Sequence, residues 1–174
     1  METGSGLKPV ELGMASRSGG ADITVSRIIP WLMDDTLDHS LEALKAHFLE
    51  EPYASIFGIQ IMELEAGRSL LKMQTTDKMK NLFGSTHGAA IFSLADAAFE
   101  LAVNSHGTVA VALGVNVNYL CAATPGETLF AEGRETNRSR RISACEIHVT
   151  GEGGRLIATF QALAYRKKDP LPFL

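Results

Sequence analysis

The sequence predicts an α+β domain in which an antiparallel six-stranded sheet wraps around one long central helix. Three observations lead there. From His87 to about Ser105, residues Ala89, Ala90, Ile91, Leu94, Ala95, Ala97, Ala98, Leu101 and Ala102 cover almost every side of a helix, and a helix apolar all round is buried. Beyond it, Val109–Leu120, Glu127–Glu135, Arg141–Thr150 and Arg155–Arg166 each alternate with a period of two residues, the pattern of half-buried strands. Before it, Ile59 and Ile61 alternate with polar partners, Glu65-Ala66-Gly67 turns the chain, and Leu71, Met73 and Thr75 alternate again, which reads as a β-hairpin.

The remaining elements follow from punctuation. Residues 1 to about 21 are rich in Gly and Ser without an apolar period and are expected to form a mobile tail. The stretch from Ile23 to Met33 holds the only Trp and is expected to dock on the body of the protein or on a neighbouring subunit. Asp38 is placed to cap a helix carrying Leu41, Leu44 and Phe48 and ending before Pro52. Ser85 or Thr86 is placed to cap the buried helix. Pro125-Gly126 and Gly153-Gly154 break the later strands, the second as a hairpin turn. The chain thus divides into an N-terminal arm, residues 1–37, and a domain spanning 38–174. One helix covers only one face of six strands, so a homo-oligomer is expected.

Composition narrows the function. Of the 174 residues 45% are hydrophobic and 21% charged, enough apolar material for a packed core and too much for a disordered chain. A net charge of −4 supplies no general field for nucleic acid or an anionic membrane, so an anionic ligand needs a local group of cations. Cys121 and Cys145 lack both CxxC and disulfide-framework spacing, which points to a reducing, cytoplasmic setting. The N-terminus reads as neither a secretory signal nor a membrane span.

Chemistry concentrates between Asn81 and Asp96. His87 and Gly88 stand at the mouth of the buried helix, where unpaired N–H groups and the positive dipole end hold an anion or polarise a carbonyl oxygen; the same residues also suit a helix that starts with a tight bend. Asp96 lies among Ala, Leu and Phe, where a carboxylate must be solvated, paired, neutralised or put to use. Eight residues separate Gly88 from Asp96, roughly 12 Å along a helix. If the two act on one substrate atom, they come from different subunits, with paired helices at a two-fold interface.

These residues resemble the signature of the PaaI-like (phenylacetyl-CoA type) hotdog-fold acyl-CoA thioesterases: an Asn, then HGG, then a helix carrying LAD. The likeness continues through Gly114-Val115-Asn116-Val117-Asn118-Tyr119-Leu120, Pro125-Gly126-Glu127-Thr128-Leu129 and Arg138-Ser139-Arg140-Arg141, and spans roughly residues 38 to 167. It implies that Asp96 is the catalytic carboxylate, as base or nucleophile. It further implies that the Gly88 N–H binds the thioester oxygen, that Asn81 positions water or substrate, and that His87 lies near the leaving sulfur. Arg138, Arg140 and Arg141, grouped with Arg134, become candidates for the coenzyme A phosphates, since guanidinium forks match phosphate oxygens, although a solvated turn fits the same run. Asn116 and Asn118 are candidates for the border of the acyl pocket.

No metal or organic cofactor is implied beyond the coenzyme A thioester itself. The implied assembly is a dimer at minimum and a tetramer by family pattern. Two positions depart from that pattern: Ala89 replaces the second Gly, and Ala112 stands where some members carry Ser or Thr. His39, His47, His106 and His148 are expected in surface or capping roles, and both cysteines as buried small hydrophobes. The expected activity is hydrolysis of a medium-sized, aryl-acetyl or related thioester. The alternatives are other aromatic or aliphatic acyl groups and a non-catalytic acyl-CoA sensor.

Overall fold

The computed structural model describes residues 29–174, with side chains from Thr36 onward. The expected tail and the docking of Trp31 lie outside the described residues. Two helices, α1 (Ile29–Leu49) and α2 (Pro52–Phe57), precede the hairpin β1 (Gln60–Glu65) and β2 (Arg68–Gln74). The central helix α3 (Gly88–Asn104) follows, then β3 (Thr108–Tyr119), β4 (Thr128–Arg138), β5 (Ile142–Thr150) and β6 (Leu156–Pro170). The six strands form one sheet in the order β1-β2-β4-β5-β6-β3, antiparallel at every pairing.

The helix is held against the sheet by small residues. Ser69, Gly133, Ile147, Phe160 and Val117 align across five strands, and this row passes under the middle of α3. The Ser69 hydroxyl is fully buried and donates to the Ala98 carbonyl at 2.6 Å. A Cβ at Gly133 would lie 2.9 Å from that same carbonyl oxygen. On either side Leu94 and Leu101 fill the space against Leu71, Met73, Leu129 and Val149, all fully or almost fully buried; each such side chain contributes roughly 1.5–3 kcal/mol. Alanine-rich packing on the helix and small residues on the sheet are two halves of one close approach.

The two edges differ. β1 is short, carries a bulge between Ile61 and Glu63 and exposes Glu63 and Glu65, features that discourage further pairing. β3 is twelve residues long, has neither charge nor proline, and exposes Val111, Leu113 and Tyr119. It pairs with β6 alone.

Two expectations are corrected. Asp38 does not cap the first helix, because that helix already starts at Ile29 with Pro30 in its first turn, where a missing N–H costs nothing. The helix ends before Pro52 as expected, and Pro52 opens the short helix α2, closed by Gly58 in the left-handed conformation (φ 62°). The cap of α3 is His87, whose ring accepts from the Ala89 N–H, and neither Ser85 nor Thr86.

Gly133→Ala is predicted to lower the unfolding free energy by about 1–3 kcal/mol through overpacking against the helix backbone. A reduced urea midpoint with an unchanged slope is the expected reading; an unchanged midpoint would contradict the close approach.

Candidate active site

The mouth of α3 is built by its preceding loop. Asn81 Oδ1 accepts from the N–H groups of Phe83 (2.8 Å) and Ser85 (3.2 Å), while its Nδ2 donates to Ser85 Oγ (2.7 Å). Asn81 therefore shapes the loop and keeps one amide hydrogen to spare. The loop delivers His87, whose Nδ1 accepts from the Ala89 N–H at 2.9 Å; that bond puts the ring proton on Nε2. The N–H groups of Ala90 and Ile91 both turn back to the His87 carbonyl. Gly88 is left with the one helix-mouth N–H lacking a partner among the described residues. Its missing side chain is explained by Tyr119, whose hydroxyl donates to the Gly88 carbonyl at 3.0 Å and whose ring would lie 3.1 Å from a Cβ. The free N–H opens on a cavity of about 330 Å³ lined by Asn81, Ser85, Thr86, Tyr119, Leu120 and Cys121 among others.

Asp96 opens elsewhere. It is exposed and lines a cavity of about 280 Å³ with Phe99, Glu100, Val103 and residues 110–112. Partial burial raises its carboxyl above the ordinary value of 3.8, which makes it a better proton acceptor than a surface aspartate. One turn further, burial and the charges of Glu51 and Asp96 push Glu100 up to about 7. Within one chain, Gly88 and Asp96 share neither cavity, as their separation along one helix requires.

The arginines gather at the end of the sheet beside Asp96. Arg134 is taken by Glu132 at 2.6 Å. The Arg141 guanidinium donates to the Tyr165 hydroxyl and lies over its ring. Arg166, which sequence spacing did not reveal, joins the group across the sheet by donating to the Ser139 carbonyl, and its Nε is buried without a partner. Burial and the nearby Arg166 charge lower the Arg138 pKa, and Arg140 is exposed. Because Ala110 pairs with Arg166 and Val111 with Tyr165, this cationic end adjoins the wall of the Asp96 cavity.

Other candidates sort differently. Asn116 and Asn118 are exposed, linked by one hydrogen bond (3.3 Å), and line neither the Gly88 nor the Asp96 cavity. Ala112 lines the Asp96 cavity, whereas Ala89 is exposed outside the Gly88 cavity. Cys145 is buried, its thiol pushed up to about 12 by burial, but Cys121 is exposed past the end of β3. His106 has a structural place, paired with Glu135, which also accepts from the buried Ser143 hydroxyl. Burial works to raise the Glu135 carboxyl, and these partners outweigh it, leaving it below the usual range. Tyr119 and Glu100 escaped the sequence reading, although a Glu one turn after Asp96 on an otherwise apolar helix was a visible signal. Among the described residues no group of His, Cys, Asp and Glu is arranged to hold a metal ion, and no helix is long and apolar enough to cross a membrane.

Comparison with known proteins supplies the family and the fold. Residues 83–158 match the family model described as the thioesterase superfamily. The chain is 30% identical over 121 residues to the acyl-coenzyme A thioesterase PaaI of Escherichia coli strain K12, covering 70% of this chain and 86% of that one. The solved structure of the E. coli PaaI protein from the phenylacetic acid degradation operon superposes with a TM-score of 0.74 at 28% identity, over 77% of this chain and 98% of its own. A Streptococcus mutans protein solved with acetyl CoA gives a TM-score of 0.63 at 26% identity, over 66% and 92% of the two chains. With the sheet, the buried helix and the helix-mouth signature in place, the chain belongs to the PaaI-like, hotdog-fold acyl-CoA thioesterases of the thioesterase superfamily.

Proposed function

We propose that the protein hydrolyses a medium-sized acyl-CoA, of the aryl-acetyl kind or similar in bulk, in a site that two subunits complete. The observation that carries this reading is the pairing of one free N–H at the mouth of α3 with a carboxylate of raised basicity farther along the same helix, each opening on its own cavity. A second copy, paired through the uncharged edge strand β3, brings its Asp96 to the first copy's Gly88. The unprotected edge supports that pairing, because a long apolar edge strand seeks another strand.

In the reaction, the thioester oxygen sits on the Gly88 N–H, and Asp96 of the other subunit takes a proton from water. The water oxygen bonds to the carbonyl carbon, and the negative charge that develops on the thioester oxygen is held by the N–H and the helix dipole. Collapse of the intermediate breaks the C–S bond, and the proton held by Asp96 goes to the departing sulfur. An oxyanion donor is worth about 3–4 kcal/mol and a positioned base about 10²–10⁴ in rate. His87 keeps its Nε2 hydrogen toward the leaving group, and Asn81 holds the loop that presents it. Arg138, Arg140 and Arg141, with Arg166, take the coenzyme A phosphates. The acetyl CoA bound in the S. mutans relative supports a ligand of this chemical class. The reading is a homodimer at minimum, and the tetramer rests on family likeness.

Asp96→Asn is expected to lower kcat by about 10²–10⁴ on a panel of acyl-CoA substrates followed by free-thiol release, with oligomer size by light scattering unchanged. Wild-type activity is expected to fall as pH drops through a value above the ordinary aspartate pKa of 3.8, because the raised carboxyl becomes protonated there. Full activity in the variant, or an active monomer, would overturn the proposal. Replacing Arg138 and Arg141 by Ala is expected to raise KM with kcat nearly kept; an unchanged KM would remove them from substrate binding.

A further inference from the structure

Asp96 is not the only carboxylate at its cavity. Glu100 follows by one helical turn, so the two side chains leave α3 on one face, about 6 Å apart along the axis. Glu100 also lines a second cavity, of about 350 Å³, that opens between α1, the start of β3 and the C-terminal residues. Ala110 and Val111 belong to both walls, so the two spaces adjoin at Glu100.

The second cavity is apolar over most of its wall, through Leu44, Phe48, Leu101, Leu171 and Phe173. Glu51 faces it from the chain just after α1, and neither Glu51 nor Glu100 has a side-chain hydrogen bond or ion pair among the described residues. The basic residue on this wall is His47, whose ring is stacked on Phe173 at 4.1 Å. The cavity therefore offers apolar surface and two carboxylates, without a lysine or arginine.

We propose that Glu100, backed by Glu51, is a specificity-determining residue: it admits neutral acyl groups from the Asp96 site into this cavity and rejects those that end in a carboxylate. The proposal rests on the thioesterase reading, since it is the acyl part of the substrate that passes Glu100. A neutral chain gains burial against Leu44, Phe48 and Leu101. An anionic end loses its hydration and meets two like charges with no cation among the lining residues to offset them, which disfavours its entry.

The filter is pH-dependent. The titratable groups that face Glu100 are His47 and Glu51 from the α1 side and Asp96 on α3; the lining residues of β3 and the C-terminal segment carry none, and Arg166, paired with Ala110 on β6, gives its guanidinium to the Ser139 carbonyl. Burial first, then the Glu51 and Asp96 charges, raise Glu100 to about 7. An acid so raised is charged above that value and neutral below it, so rejection is strong at alkaline pH and relaxes as pH falls through neutrality.

The test compares hexanoyl-CoA with adipoyl-CoA, equal in chain length and different at the far end. At alkaline pH the wild-type protein is expected to favour hexanoyl-CoA in kcat/KM by on the order of tenfold or more. Glu100→Gln keeps the side chain's shape and is expected to shrink that ratio several-fold by raising the adipoyl-CoA rate. The ratio should fall with pH in the wild type and stay flat in the variant. An unchanged ratio in Glu100→Gln and in the double variant with Glu51→Gln would overturn the proposal. If hexanoyl-CoA and the rest of the panel are not hydrolysed at all, the thioesterase reading fails separately. Calorimetric binding of the two thioesters to Asp96→Asn then decides the filter alone: weaker adipoyl-CoA binding that Glu100→Gln relieves supports it, and equal affinity overturns it.

Discussion

Everything in this fold depends on how closely α3 can approach the sheet. A glycine at 133 and a buried serine at 69 let the helix backbone descend until the Ala98 carbonyl takes a hydrogen bond from the strand beneath it. A helix seated that deeply is a rigid rod. Its N-terminus, with the free Gly88 N–H, and its middle, with Asp96, are then separated by a length that no side-chain movement abolishes. The same packing that stabilises the domain holds Gly88 and Asp96 at two separate cavities.

That division gives meaning to the bare edge. β1 carries a bulge and exposed glutamates, while β3 carries neither charge nor proline along its whole length. An edge of that kind invites a second strand, and in the proposed dimer the second copy supplies the half of the site that one chain lacks. Electrostatics follow the same economy of place. The chain is acidic overall, yet Arg138, Arg140, Arg141 and Arg166 gather at one end of the sheet, beside the Asp96 cavity, while Glu51 and Glu100 face the apolar cavity that adjoins it at Glu100, Ala110 and Val111.

Much of this was legible in the residues. The all-round apolar pattern of α3 and the period-two runs of β3 to β6 located five elements to within a few residues, because burial on every side and burial on one side leave different periodicities. The separation of Gly88 and Asp96 was legible for the same reason: a helix converts spacing into distance. What stayed hidden depends on contacts distant in sequence or on competition between neighbours. Arg166 reaches the arginine end only through the pairing of β6 with β3. Tyr119, not open space, is why Gly88 lacks a side chain. His87 rather than Ser85 or Thr86 is the cap because the helix begins at Gly88, which leaves His87 at the cap position, while Ser85 is engaged by Asn81. Asp38 looked like a cap, but Pro30 had already started the helix two turns earlier.

The shared site is the centre of the account, and mixed oligomers test it most directly. Asp96→Asn removes the proposed base, and Gly88→Pro, combined with Tyr119→Ala to clear the ring that a side chain at position 88 would meet, removes the one free N–H at a first-turn position. Each variant alone should be nearly inactive. Unfolded together in equal amounts and refolded, they should recover about a quarter of the wild-type activity, since half of the random dimers carry one intact site out of two. Recovery at that level is the result predicted; a mixture no more active than its separate components would contradict a site completed by two subunits.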